Sequence, residues 1–162
     1  MLSSSPAGVT ATDPEVIQGH CNRFVDILGV MQIIGHGIDL VDVERIEDML
    51  ERHGARFIDR CFTVREQMYC ESSVGARSQR YAARFAAKEA VFKAIGTGLV
   101  DGMAFSQIEV VRAADGEPSI ELQGRVAEVA RREGIHQWLL SLSHLKLYAS
   151  ASAIALGSPE SC

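Results

Sequence analysis

The side chains best suited to chemistry lie within one short stretch, residues 84–98, which reads RFAAKEAVFKAIGTG. Its composition predicts one helix that ends at a glycine-rich turn. The stretch combines one carboxylate with three basic side chains: Glu89, Arg84, Lys88 and Lys93. The backbone N–H groups around Gly96 and Gly98 are left open to oxygen ligands. This combination favours a phosphate-rich ligand held together with a divalent metal ion.

Simpler explanations exist for the same residues. Glu89 and Lys93 are four residues apart, so they could form only a solvated ion pair, worth about a few tenths of a kcal/mol. Gly96 could serve only to end the helix. Small side chains at four positions nevertheless allow a ligand or a second backbone to approach the helix: Ala86, Ala87, Ala90 and Ala94.

A second candidate is the aspartate in the stretch GHGID, residues 35–39. Residues 32–38 are rich in β-forming side chains and predict a strand, so that Asp39 follows its C-terminal end. A carboxylate in this place suits Mg²⁺, although an ordinary turn aspartate would look the same. Asp42 is interpreted as the N-cap of the next helix.

The helix predicted over residues 43–53 carries a basic stripe. Its members are spaced four, three and four residues apart: Arg45, Met49, Arg52 and Arg56. Phe57 lies near or beyond the expected end of the helix, on its apolar side. A helix of mixed charge is most often a solvated surface, but a segregated basic stripe is also what an acidic protein partner would contact.

The stretch LSLSH, residues 140–144, predicts a half-buried strand with His144 at its end, because small polar and large apolar side chains alternate. A single histidine is more often structural than catalytic. No nucleophile elbow or Ser-His-Asp order accompanies this one. The residues alone therefore leave the role of His144 open.

Composition narrows the class of protein. The 162 residues, 47% hydrophobic and 23% charged, predict one ordinary globular domain. A net charge of −5 argues against general nucleic-acid binding, and no apolar run is long enough to span a membrane. Neither a zinc site, a disulfide framework nor a signal peptide is indicated, so we expect a reducing cytoplasm and neither a nucleic-acid nor a membrane partner.

The order of the expected elements indicates an α+β protein, with helices early and strands late. Residues 1–30 are interpreted as a partly disordered N-terminal extension, although an ordinary additional helix up to about Leu28 fits equally well, and residues 31–158 as the folded domain. After the helix at 43–53 we expect helices at 63–71, with a capping box, and at 78–95, strands at 107–112 and 118–122 joined around Asp115 and Gly116, a helix at 124–133, and strands at 136–142 and 147–156.

In this order the pieces resemble holo-[acyl-carrier-protein] synthase, the family of small bacterial 4′-phosphopantetheinyl transferases. The resemblance spans about residues 32–156, and the run at 84–98 is its most specific part. The other matching motifs are GIDLV at 37–41 with Arg45 and Ile46, Phe62-Thr63 with Glu66, Gly116-x-Pro118, SLSH at 141–144 and YASA at 148–151.

The resemblance implies a long helix packed on a small antiparallel sheet, and a homotrimer with active sites between subunits. It implies transfer of 4′-phosphopantetheine from coenzyme A to a serine of apo acyl carrier protein, a step of fatty acid biosynthesis that releases adenosine 3′,5′-bisphosphate. In each site, one chain would supply Asp39 and Glu89 to bind Mg²⁺ and Lys93 to bind phosphate.

The remaining site residues follow from the resemblance by position. Gly96 and Thr97 would line the nucleotide pocket, and the neighbouring chain would add Arg84, Pro118 and His144. The basic stripe would dock the acidic carrier protein through Arg45, Met49, Arg52, Arg56 and Phe57. Three groups stay open as the base that removes the serine proton: a metal-held water, a metal-bound carboxylate and His144.

One departure and two rival functions accompany this interpretation. His36 stands where the family has a small or aliphatic residue, and it could crowd the pocket floor or point elsewhere. A coenzyme A or nucleotide-binding module without turnover is disfavoured by the intact Asp39, Glu89 and Lys93. A Mg²⁺-dependent nucleotide pyrophosphatase is disfavoured by the basic stripe, which the hydrolysis of a small nucleotide does not need.

Overall fold

The computed structural model describes residues 31–100, 102–113 and 116–158. Its helices and strands are β1 (Gln32–Asp42), α1 (Val43–Cys61), α2 (Val64–Glu71), α3 (Arg77–Ile95), β2 (Ile108–Arg112), β3 (Pro118–Leu122), α4 (Gly124–Arg132), β4 (Ile135–His144) and β5 (Tyr148–Gly157). Short 3₁₀ turns at Val74–Ala76 and Phe105–Gln107 precede α3 and β2. The predicted α+β class is confirmed, whereas the expectations for residues 1–30 and for Asp115 lie outside the described residues.

The long helix α3 packs against one face of an antiparallel sheet with the strand order β1-β5-β4. The close approach of β1 requires glycine at two positions. A Cβ atom on Gly35 would lie 1.9 Å from the Ala94 carbonyl oxygen, and one on Gly37 would lie 1.9 Å from that of Ala90. The small side chains of α3 therefore admit a second backbone, which was one of the two predicted possibilities.

The two faces of this sheet differ sharply in burial. Four alanines of β5 point towards α3 and are buried: Ala149, Ala151, Ala153 and Ala155. The opposite face has no covering element among the described residues, and Ile38 and Leu40 are 60% and 67% exposed there. An exposed apolar sheet face of this kind marks an interaction surface.

The first strand is longer than its sequence suggests. β1 continues to Asp42, so Asp39 lies inside the strand, opposite Ala151, and not after its end. Pairing with the long strand β5 outweighs the local preference of an aspartate for a turn. The cap prediction is confirmed, because the Asp42 side chain accepts a hydrogen bond from the Glu44 N–H at 2.9 Å.

The predicted end of the first helix near His53 is wrong. α1 continues to Cys61 across a kink at Gly54, whose φ of 46° is accessible to glycine at little cost. The helix resumes because its second half buries Phe57 and Cys61 in the core. Phe57 is thus a helical residue, and its ring packs edge-on against Phe62.

The predicted capping box at the start of α2 is confirmed. Thr63 Oγ1 accepts from the Glu66 N–H at 3.3 Å, and Glu66 Oε2 accepts from the Thr63 N–H at 2.9 Å. The free thiols of Cys61 and Cys70 are buried, and burial raises the pKa of Cys70 to about 12. Among the described residues, no helix combines the length and apolar character needed to cross a bilayer.

Candidate active site

The first part of the candidate site is a carboxylate cluster formed by Asp39, Glu89 and Lys93. Lys93 Nζ donates to Asp39 Oδ1 at 2.7 Å and to the Ile38 carbonyl oxygen at 3.0 Å. The close contacts of the two β1 glycines with α3 bring Asp39, a residue of β1, beside the helix. Lys93 is therefore bonded across two elements, and it is not limited to the simple helical pair with Glu89 that the spacing also allowed.

The electrostatics of the cluster favour a cation. Burial raises the pKa of the Glu89 carboxyl, and the charge of Asp39 raises it further, against the opposing effects of Lys93 and Arg45. Holding two ionised carboxylates close enough to repel each other costs less free energy when a positive charge lies between or beside them. The predicted metal ligands Asp39 and Glu89 are thus brought together, although 50 residues separate them.

A cavity of about 460 Å³ opens beside the carboxylate cluster. Its lining includes Glu89, Lys93, Gly96 and Gly98, all singled out in the sequence, and adds Phe92, Leu99 and Phe105. Thr97 lies next to this lining and donates its hydroxyl to the Gly98 carbonyl oxygen at 3.2 Å. Sequence reasoning missed the apolar wall. The position of Phe92, three residues after Glu89 on the same helix, was the available signal.

The second part of the candidate site is an arginine pocket of about 190 Å³ on another side of α3. Three predicted residues from distant parts of the chain line it together: Arg84, Pro118 and His144. Arg84 and Glu89 are five residues apart, which separates their directions by about 140° around the helix. The arginine pocket and the cavity beside the carboxylate cluster share no lining residue within the described part of the chain.

The arginine pocket concentrates positive charge around one aromatic ring. The guanidinium carbons of Arg84, Arg80 and Arg112 lie 4.0, 4.5 and 5.7 Å from the centre of the Tyr69 ring. Arg84 is only 4% exposed, and its Nε has no hydrogen-bond partner among the described residues. None of the described lining residues is acidic. Such a pocket is suited to an anion, with phosphate as the natural match for guanidinium groups.

Three residues of the arginine pocket were missed in the sequence: Tyr69, Arg80 and Arg112. The spacing of four between Arg80 and Arg84 was a usable signal, since both fall on one face of a helix. Tyr69 and Arg112 gave none. They reach the pocket because Arg112 Nη1 donates to the Tyr69 hydroxyl at 2.8 Å across 43 residues of chain.

The basic stripe borders an apolar pit of about 330 Å³ on α1. The predicted Met49, Arg56 and Phe57 line it, together with His53 and Arg60, which were missed. His53 lies four positions after Met49, so helical spacing could have found it, whereas Arg60 lies beyond the predicted end of the helix. Arg45 and Arg52 are exposed outside this lining, and Arg52 donates to Asp48 at 3.0 Å.

His36 points away from α3. Its Nε2 shares a hydrogen bond of 2.9 Å with Ser152 Oγ on the uncovered face of the sheet. Of the two possibilities left open by the sequence, crowding of the pocket floor is excluded by this placement. The departure from the family pattern therefore concerns the exposed sheet face.

Comparison with known proteins identifies the family that the sequence motifs resemble. A model of the 4′-phosphopantetheinyl transferase superfamily matches residues 35–152. A holo-[acyl-carrier-protein] synthase from Gloeobacter violaceus is 49% identical over 121 residues, which cover 75% of this chain and 91% of the relative.

Solved structures agree in fold. Holo-ACP-synthase from Plasmodium yoelii superposes with a TM-score of 0.70 at 31% identity, covering 80% of this chain and 98% of that one. A holo-(acyl-carrier-protein) synthase from Bacillus anthracis, in complex with CoA (3′,5′-ADP), gives 0.65 at 35% identity, covering 80% and 100%. Because the family model and these relatives cover most of the chain, the protein belongs to the 4′-phosphopantetheinyl transferase superfamily.

Proposed function

We propose that this protein is a holo-[acyl-carrier-protein] synthase that moves 4′-phosphopantetheine from coenzyme A to a serine of apo acyl carrier protein, as a step of fatty acid biosynthesis. The observation that carries the proposal is the pairing of Asp39 with Lys93 at 2.7 Å beside Glu89, in a chain of this superfamily. These are the residue types that neutralise and align a pyrophosphate.

The carboxylate cluster fits Mg²⁺. Asp39 and Glu89 offer hard oxygen donors, which suit an ion that usually binds one or two carboxylates together with substrate phosphates and water. We assign Asp39 and Glu89 as the protein ligands. Bound there, Mg²⁺ would neutralise charge on the pyrophosphate oxygens.

The chemistry assigned to the other residues follows the charge that develops during transfer. The serine hydroxyl gives up its proton to a base, and its oxygen forms a bond to the β-phosphorus of coenzyme A. The bond from that phosphorus to the bridging oxygen breaks, which releases adenosine 3′,5′-bisphosphate. The ammonium of Lys93 stabilises the charge that builds on the phosphoryl oxygens. Gly96 and Thr97 border the nucleotide at the end of α3.

The arginine pocket is assigned to the same reaction in a neighbouring subunit. Arg84, Pro118 and His144 face a different cavity from Glu89 and Lys93, so a site that uses all five needs a second chain. The uncovered sheet face, with Ile38 and Leu40 exposed, supports assembly. We propose a homotrimer in which each nucleotide lies between the carboxylate cluster of one chain and the arginine pocket of the next.

The basic stripe is assigned to the carrier protein. Arg45, Arg52 and Arg56 are exposed and positively charged, and the apolar pit beside them contains Met49 and Phe57. An acidic helix with an apolar side chain among its carboxylates would match this surface.

The experiment is direct transfer. The protein is incubated with coenzyme A, Mg²⁺ and apo acyl carrier protein, and the carrier is weighed by mass spectrometry. We expect its mass to rise by one phosphopantetheine group, with equimolar release of adenosine 3′,5′-bisphosphate. A carrier of unchanged mass beside intact coenzyme A would refute turnover, and hydrolysed coenzyme A beside an unmodified carrier would identify a pyrophosphatase.

A further inference from the structure

A fully buried lysine lies one residue before Glu89. The Lys88 side chain is 0% exposed, and so is its partner Glu66, whose Oε2 accepts from Lys88 Nζ at 2.7 Å. The same ammonium donates to the carbonyl oxygens of Phe105, at 3.0 Å, and of Ile108. Three N–H donors thus have three acceptors, and the charge is fully satisfied without solvent.

Glu66 is equally well bonded. Its Oε1 accepts from the Val110 N–H at 3.0 Å, and its Oε2 accepts from the Thr63 N–H at 2.9 Å in the capping box of α2. The ion pair between Lys88 and Glu66 therefore connects α3 to the start of α2, to the 3₁₀ turn at Phe105–Gln107 and to β2. A buried ion pair is weak support for stability as such, because desolvation offsets much of the attraction.

The segment held by Lys88 forms a wall of the candidate active site. Phe105 lines the cavity beside the carboxylate cluster, and its ring stacks on Phe85 with centroids 5.3 Å apart. It also meets Phe92 edge-on at 5.1 Å. The carbonyl group of Phe105 is bonded to Lys88, and the same residue lines the cavity, so Lys88 links the buried pair to the wall.

We propose that Lys88 and Glu66 are positioning residues for coenzyme A, which hold Phe105 in place so that the nucleotide wall is formed before the nucleotide arrives. This inference rests on the proposed function for the identity of the ligand. Neither residue touches the reacting atoms. Their loss acts on the affinity for coenzyme A, because a wall that must be ordered on binding costs conformational entropy.

The test compares Lys88→Met with Phe105→Leu, the double variant and a matched control, Lys146→Met, at an exposed lysine of the β4–β5 turn. Both KM values are measured, and the Kd for coenzyme A is measured by calorimetry. We expect Lys88→Met and Phe105→Leu each to raise the KM and Kd for coenzyme A by about tenfold. The KM for the carrier protein stays within about twofold. The Kd of the double variant for coenzyme A does not exceed that of the more impaired single variant, as expected for residues that act through one contact.

A purely structural role gives a different pattern. It lowers Tm and the active fraction while the Kd for coenzyme A stays at the control value, and this result, or effects that multiply in the double variant, would overturn the proposal. If Lys88→Met does not fold, the Kd of Phe105→Leu for coenzyme A is the deciding measurement. An unchanged Kd in that variant would show that Phe105 does not contribute to coenzyme A binding, which would overturn the proposal. Absence of transfer in the unmodified protein would count against the proposed function, and the calorimetric test would still stand.

Discussion

The carboxylate cluster and the arginine pocket lie on one helix but are built in opposite ways. The carboxylate cluster depends on backbone proximity, since Gly35 and Gly37 let β1 touch α3 and carry Asp39 to the helix. The arginine pocket depends on side-chain stacking around Tyr69, with Arg84 buried at its base. We propose that the first binds a cation and the second an anion. On that proposal, a single helix presents both halves of a site for a magnesium-bound nucleotide.

The largest effect is expected in the carboxylate cluster. Glu89→Gln removes a proposed metal ligand while it preserves shape, so we expect kcat to fall by at least about a thousandfold. Glu128→Gln, at an exposed position on α4, serves as the control and should retain full activity. Steady-state transfer at saturating Mg²⁺ measures both. Activity of Glu89→Gln within tenfold of the control would remove this residue from the metal site.

The same substitution has a predicted effect on stability that separates chemistry from folding. Burial and Asp39 raise the pKa of Glu89 in the fold, so its ionisation destabilises the native state as pH rises through that pKa. In buffer free of divalent metal, Glu89→Gln should therefore raise Tm by a few degrees at neutral pH. The gain should vanish at acid pH, where the native carboxyl is protonated, and a lower Tm at neutral pH would contradict this account.

A smaller effect, of a different kind, is expected in the arginine pocket. Arg84→Ala removes a guanidinium whose Nε is buried without a described partner, so we expect the KM for coenzyme A to rise about 10- to 100-fold. The effect on kcat should be much weaker than that of Glu89→Gln. Arg132→Ala, at an exposed position on α4, is the control. A fall in kcat with an unchanged KM would place Arg84 with the reacting atoms and erase the contrast between the two regions.

The smallest effect is expected on the surface of α1, outside both regions. Arg45→Glu combined with Arg52→Glu should raise the KM for the carrier protein about tenfold and leave the KM for coenzyme A unchanged. Arg131→Glu combined with Arg132→Glu gives the same change in net charge on α4 and should alter neither value. The difference between the two pairs should shrink as salt is added. Equal increases in both KM values would refute docking at this surface.

Local sequence patterns predicted the helices and strands correctly where the local preference of the residues agreed with the tertiary contacts that they make. The capping box at Thr63 and Glu66 fixed the start of α2, and the glycine at position 96 fixed the end of α3. The strand β1 was predicted too short, because its extension through Asp39 comes from pairing with β5. The helix α1 was also predicted too short, because it resumes after a kink at Gly54 and continues to Cys61.

The residues of the candidate site were predicted where a motif marked them, and helical spacing could have added a few more. Arg84, Pro118 and His144 were named from the family resemblance, and they do line one cavity. Tyr69 and Arg112 carry no local signal, because their positions depend on a contact across 43 residues. The buried role of Lys88 was equally hidden, since helical spacing pairs it with Arg84 and gives no hint of Glu66.

The central claim, that each site combines the carboxylate cluster of one chain with the arginine pocket of another, is tested most directly by mixing two variants. Glu89→Gln and Arg84→Ala chains are co-expressed with different tags, and oligomers that carry both tags are assayed at a coenzyme A concentration far below the KM of Arg84→Ala. In a trimer that carries both kinds of chain, one of the three shared sites has both halves intact, so activity should recover to about a third of that of the unmodified protein. Activity no higher than the average of the two parent variants would contradict a site shared between chains.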